Sequence, residues 1–83
     1  MTWIGKRGAM RDPLQSLADE FLESYVRWRE ACEDVRNAYE RWRGCEPSER
    51  AFAFKVYRTA LDWEEHAAGI HSDRAQQLHA SAA

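Results

Sequence analysis

The sequence predicts an all-α protein built as one long antiparallel hairpin of two helices. Positions 14–43 contain neither glycine nor proline, and apolar or small residues recur there at alternating steps of three and four, the spacing of one helical face. Gly44 and Pro47 then break the pattern. A connection this short turns the second helix back along the first. A chain of 83 residues has room for one small domain.

The first helix is predicted over about residues 13–43. Asp12 can accept backbone N–H groups as N-cap, Pro13 has the φ angle of a first helical position, and Gln15 has the spacing of a capping box. Residues 1–11 are predicted to be a flexible extension. The heptad seam of this helix comprises Ala18, Phe21, Tyr25, Trp28, Cys32, Val35, Tyr39 and Trp42.

The turn is predicted at residues 44–47 and the second helix at about 48–79. Gly44 is expected to end the first helix in the left-handed conformation. Pro47 favours a helix start shortly afterwards. Residues 80–83 are expected to form a frayed tail.

The second helix is predicted to carry more apolar surface than one partner helix can cover. Gly69 leaves two alternatives, a continuous helix, which is favoured, or an end there and a short third segment. Two adjacent seams run along this helix, one of Phe54, Tyr57, Leu61, Ala68, Ala75 and Leu78, the other of Ala53, Val56, Ala60, Trp63, Ala67 and Ile70.

This surplus of apolar surface predicts self-association, and the charge pattern predicts its orientation. Residues 35–58 have six basic and three acidic side chains, whereas acids outnumber bases in 12–34 and in 59–83. The turn end of the hairpin is therefore basic and the open end acidic, which favours a head-to-tail homodimer forming a four-helix bundle. Another protein is a further candidate partner. The residues expected to carry folding and association are Phe21, Tyr25, Trp28, Val35, Tyr39, Trp42, Phe54, Tyr57, Leu61, Trp63 and Ile70.

Catalytic and metal chemistry is not predicted. Asp62 and His66 are four residues apart, with Glu65 beside them, but no Glu-x-x-His, His-Glu-x-x-His or Cys-x-x-Cys motif occurs. A solvated acidic helix face is the favoured interpretation. We therefore expect no enzyme activity, no cofactor and no bound metal.

The two cysteines and the hydropathy favour a cytoplasmic protein. Cys32 and Cys45 are separated by about 20 Å if helical, too far for an intrachain disulfide, which needs Cα atoms within about 7 Å. Neither an apolar signal core near the N-terminus nor a membrane-spanning apolar run is apparent.

Nucleic-acid binding is the weaker alternative. The basic turn end could contact phosphates through Arg41, Arg43, Arg50 and Arg58, with Trp42 as a stacking ring. Glutamates alternate with these arginines, so an ion-paired surface is favoured.

The tripeptide Trp42-Arg43-Gly44 resembles the Trp-x-Gly signature of the small helical hairpins exported by type VII secretion systems. Its position between two long helices is also similar. The resemblance implies a dimeric four-helix bundle, exported without a cleaved signal. The family's Tyr-x-x-x-Asp/Glu export motif has no counterpart, because the last tyrosine is Tyr57, early in the second helix.

Overall fold

The computed structural model describes residues 12–82 and confirms the predicted hairpin. Helix α1 spans Pro13–Gly44 and helix α2 spans Arg50–Ala82, with a short 3-10 turn at Pro47–Glu49 between them. The two helices pack against each other in antiparallel directions. No strand occurs in this part of the chain.

Asp12 caps the start of α1. Its carboxylate accepts the Leu14 N–H at 3.4 Å, and its carbonyl accepts the Ser16 N–H at 3.1 Å. The first bond gives a partner to an N–H group that the first helical turn leaves without one, and the second is the first regular bond of the helix. The expected capping box is wrong, because the Gln15 amide donates to the Asp19 carboxylate at 3.3 Å instead.

The chain reverses through two extended residues. Cys45 has φ −82° and ψ 165°, and Glu46 has φ −67° and ψ 150°. Gly44 belongs to α1, and no residue within 12–82 has a positive φ. The predicted left-handed Gly44 is therefore wrong. The Cys45 thiol instead donates to the Trp42 carbonyl at 3.3 Å, giving a partner to one of the carbonyls at the end of α1.

Helix α2 continues through Gly69, as favoured from the sequence, and reaches Ala82. It therefore includes residues 80–82, which were expected to fray. The alanines of this segment have the highest helix propensity of any residue, which accounts for the longer helix. The predicted N-terminal extension, residues 1–11, lies outside the described residues.

Replacing Gly69 with alanine is expected to raise the free energy of unfolding by about 0.5–1 kcal/mol, because a glycine inside a helix costs backbone entropy. A Cβ atom at this exposed position meets nothing within 4 Å. Urea denaturation followed by circular dichroism measures the change. Gly44→Ala, at the last position of α1, serves as a control with a smaller expected gain. A loss of stability in Gly69→Ala would show that the position is covered in solution.

The core is a single line of contacts between the helices. Only Ser24, Ala38 and Ala53 are buried within the described residues, and none of the large side chains there is fully buried. On α1 the buried and partly buried positions that follow one line are Leu17, Phe21, Ser24, Trp28, Ala31, Val35, Ala38 and Trp42, and Ser16, Ala18, Asp19 and Cys32 beside them are also partly buried. The corresponding positions of α2 are Ala53, Tyr57, Ala60, Glu64, Ala67, His71, Arg74 and Leu78, together with Val56, Ala68 and Ala75 at their sides.

These lines correct the predicted seams. In α1 the contact line is shifted toward Ser24, Ala31 and Ala38, so that Tyr25 and Tyr39 lie at the edge of the interface, 42 % and 39 % exposed. In α2 the line runs between the two predicted seams and takes members from both. The outer residues of each seam are therefore exposed on opposite faces of the hairpin.

Candidate interaction surface

An aromatic cluster joins the two helices near the turn. The rings of Trp42 and Tyr57 are stacked, with centroids 5.6 Å apart and an interplanar angle of 8°. Phe54 lies 5.2 Å from Trp42, and Tyr39 lies 5.6 Å from Tyr57. The Trp42 indole N–H is buried and has no hydrogen-bond partner in the described part of the chain. Trp42 is thus a packing residue and is not available as a stacking ring for a base.

A second cluster of the same design lies toward the open end. Trp28 stacks on His71, with centroids 5.5 Å apart at 14°, and Phe21 and Tyr25 lie 4.9 Å and 5.6 Å from the same imidazole. The Trp28 indole N–H donates to the Glu64 carboxylate at 2.9 Å. This bond allows a glutamate to lie in the contact line, because its oxygen has a partner there.

Ser24 fixes the imidazole of His71 from α1. The serine is 5 % exposed, and its hydroxyl donates to the Phe21 carbonyl at 2.8 Å. Its oxygen lies 3.0 Å from His71 Nδ1. With the hydroxyl proton directed to the carbonyl, the serine oxygen accepts from His71, which favours the Nδ1–H tautomer.

The sequence contained a signal for these paired clusters that hydropathy did not detect. The pattern Tyr-x-Arg-Trp-Arg occurs at 25–29 and again at 39–43. Fourteen residues also separate Tyr57 from His71, the two rings on which the tryptophans stack. Fourteen residues are two heptads, so both copies lie on the same side of their helices. The repeat therefore places two equivalent aromatic clusters along one interface.

One exposed face of the hairpin holds a shallow apolar groove, which we call the groove face. Two cavities of about 360 and 440 Å³ share Asp34 and Trp63 as lining residues. Trp63 is 64 % exposed and Phe52 is 72 % exposed. The groove face consists of Ser24, Arg27, Glu30, Ala31 and Asp34 from α1, and of Phe52, Lys55, Val56, Thr59, Ala60, Trp63, His66, Ala67 and Ile70 from α2.

The opposite side, which we call the tyrosine face, is also partly apolar. It presents Tyr25 and Tyr39 from α1 beside Phe54 and Leu61 from α2, each with about two fifths of its surface exposed. The hairpin is thus one layer of two helices with apolar residues on both faces. A layer of this kind leaves apolar surface in contact with water unless another chain covers it.

The predicted association residues divide among the interior and the two faces. Phe21, Trp28, Val35, Trp42 and Tyr57 lie in or beside the contact line; Tyr25, Tyr39, Phe54 and Leu61 lie on the tyrosine face; and Trp63 and Ile70 lie on the groove face. Ser24, Glu64 and His71 were missed, because polar residues are ordinarily assigned to the solvent side.

For metal binding and nucleic-acid binding, the other activities considered from the sequence, residues 12–82 contain no assembled site. No group of three histidine, cysteine or acidic side chains there could hold a metal ion. His66 lies against Trp63, whereas His71 faces α1. Arg43 pairs with Glu40 at 3.7 Å, so the basic turn end is partly neutralised. Neither described helix contains a stretch apolar enough, over the length required, to cross a membrane.

The fold and its two exposed faces define a class, the small two-helix hairpin with a thin core and apolar surface on both sides. Comparison of the chain with models of known protein families, with curated protein sequences and with solved structures found no match. The two faces are therefore the features from which a function is inferred.

Proposed function

We propose that this protein is a self-associating interaction module and that two hairpins join through their groove faces into a four-helix bundle. The observation that carries the proposal is the exposed Trp63, which borders both cavities of the groove face. A large apolar side chain beside an apolar groove is typical of an interaction site. Pairing two layers would also give the hairpin the second layer that most domains have.

A head-to-tail arrangement satisfies the symmetry of such a dimer. In a two-fold interface each contact occurs twice, so residues equally far from the axis meet reciprocally. Trp63 and Ile70 lie about two helical turns apart on α2 and flank Ala67. With the axis near Ala67, Trp63 of one copy would pack against Ile70 of the other, and the reverse contact would follow.

The charges of the groove face support the same arrangement. Arg27 and Glu30 both line the groove near the middle of α1. Head-to-tail packing would bring Arg27 of each copy toward Glu30 of the other. At the ends it would set the basic turn region of one hairpin beside the acidic open end of its partner. Complementary charge of this kind contributes orientation more than affinity.

We also propose a cytoplasmic location. Cys32 and Cys45 are both free thiols. A protein that keeps two partly exposed cysteines reduced suits a reducing compartment.

Replacing Trp63 with glutamate is expected to convert the dimer to a monomer, because the interface would lose its largest apolar group and gain a buried charge. The dimer dissociation constant should rise at least about tenfold, which corresponds to about 1.4 kcal/mol. Sedimentation velocity at micromolar concentrations measures the association. The tryptophan emission of the wild type, to which Trp63 contributes, should also shift to the blue on association.

Val26→Glu provides the matched control. Val26 is 52 % exposed and lines neither cavity of the groove face, so this variant should associate like the wild type. A wild type that stays monomeric at micromolar concentration would contradict the proposal. Equal association of the Trp63→Glu variant and the wild type would contradict it as well.

A further inference from the structure

The tyrosine face has a basic border on α1. Three residues on the tyrosine-face side of α1 recur every seven positions, Tyr25, Cys32 and Tyr39, and an arginine follows each of them after four residues. Residues four apart are neighbours on a helix surface. The arginines therefore form one row beside the tyrosines, consisting of Arg29, Arg36 and Arg43.

These arginines are available to a partner. Arg29 makes no ion pair within residues 12–82. Arg36 pairs with Glu33 and Arg43 with Glu40, each at 3.7 Å, and all four side chains are more than half exposed. Exposed pairs of this length hold their arginines weakly, so a carboxylate of another chain can compete for them.

Helix α2 extends the same surface toward the turn. Phe54 and Leu61 lie on the tyrosine face, and Arg58, four residues after Phe54, adds a further positive charge near the turn. Glu65 is the acid in the corresponding position beside Leu61. The face is thus an apolar strip with three arginines along its α1 edge, two of them paired with Glu33 and Glu40. The α1 lining of the groove face instead has one arginine and two acids.

We propose that the tyrosine face binds an amphipathic helix of another protein, with apolar residues on one side and acidic residues flanking them. Tyrosine and arginine are the residue types that most often dominate binding energy in interfaces. Tyr25 and Tyr39 are fourteen residues apart, about 21 Å, so the surface accommodates about four turns of a helix. The row of arginines fits carboxylates along one edge of that helix.

A second copy of this chain fits the tyrosine face poorly. Arg29 lies near the middle of α1, which spans Pro13–Gly44. Head-to-tail pairing through this face would bring Arg29 of one copy beside Arg29 of the other, and like charges in an interface oppose association. Nucleic acid is disfavoured too, because the centre of the face is an apolar strip that includes Phe54 and Leu61, whereas nucleic-acid affinity comes mainly from contacts to phosphates.

The test uses a labelled model peptide of about 18 residues, or five helical turns, with leucine at positions i, i+3, i+4 and i+7 and glutamate on both flanks. Fluorescence anisotropy with the full chain should show binding of this peptide and much weaker binding of the same peptide with lysine in place of glutamate. The double variant Arg29→Glu/Arg36→Glu should weaken binding by on the order of tenfold or more. A matched pair of single variants gives the control: Arg29→Glu should weaken binding, whereas Arg41→Glu, an equal change of charge outside both faces, should change it about twofold or less.

Five outcomes would overturn the proposal. The glutamate peptide fails to bind, or the lysine peptide binds as tightly. The Arg41→Glu variant weakens binding as much as Arg29→Glu does. A labelled single-stranded oligonucleotide binds more tightly than the peptide and loses affinity in Arg29→Glu/Arg36→Glu, which would identify a nucleic-acid surface. Peptide binding that disappears in Trp63→Glu would place the peptide on the groove face, whereas binding retained in that monomer supports the proposal independently of dimerisation.

Discussion

Replacing Trp42 with alanine is expected to lower the free energy of unfolding by about 3–5 kcal/mol, the range for removing a large aromatic ring from a packed site. Trp42 stacks on Tyr57 and also contacts Phe54 and Tyr39. Within residues 12–82 the hairpin has no second layer of residues that could collapse into the space. Urea denaturation followed by circular dichroism, at one fixed protein concentration, measures the loss. A change below about 1 kcal/mol would show that this cluster does not hold the turn end together.

The variant Trp42→Phe separates the contribution of the aromatic ring to stability from that of the indole N–H. The Trp42 indole N–H is buried and has no hydrogen-bond partner among residues 12–82, and such a group destabilises the folded state by about 1–3 kcal/mol. Phenylalanine removes that N–H but also some apolar contact. These effects oppose each other, so the expected net change is within about 1 kcal/mol of zero. A loss comparable to that of the alanine variant would indicate that the N–H has a partner in solution.

Replacing Trp28 with alanine should cost a similar amount, about 3–5 kcal/mol. This substitution removes the ring stacked on His71 and leaves the aromatic cluster of the open half with Phe21 and Tyr25 alone. It also deprives Glu64, which is only partly exposed, of its hydrogen-bond donor. The same denaturation experiment measures the effect, and a shift in the midpoint without a change in slope would show that the folded structure remains cooperative.

The phenylalanine variants of the two tryptophans should differ in a defined order. Trp28→Phe loses the bond from the indole N–H to Glu64, a bond to a charged group worth about 1.5–3 kcal/mol when partly buried. Trp42→Phe loses no hydrogen bond of the described part of the chain. Trp28→Phe should therefore be the more destabilising of the two, although the stacking geometries are nearly the same. The reverse order would mean that the indole N–H groups of the two tryptophans have different hydrogen-bond partners in solution.

The amino-acid sequence alone determined the two helices and the fact that they form a hairpin. An uninterrupted run of helix-compatible residues with alternating three and four spacing could form only a long amphipathic helix. The proline at position 47 and the short connection then required the chain to turn back. The sequence likewise indicated that α2 has more apolar surface than α1 can cover, because its two seams, those containing Leu61 and Trp63, lie side by side.

Only the tertiary structure decided which line of α2 would face α1. Both seams of α2 were apolar enough to pack against α1, so the hydropathy pattern did not indicate which of them would do so. The contact line instead runs where Ala53, Ala60 and Ala67 let the helices approach. The tryptophan rings of α1 stack on two larger residues of the same line, Tyr57 and His71.

The same register explains why the polar interior residues could not be predicted. Glu64 and His71 score as surface residues in any hydropathy pattern. They lie in the interface because groups on α1, the Trp28 indole N–H and the Ser24 hydroxyl, provide hydrogen-bond partners there. Those partners are 36 and 47 residues away along the chain. Their proximity follows from the pairing of the two helices, a property that neither helix has by itself.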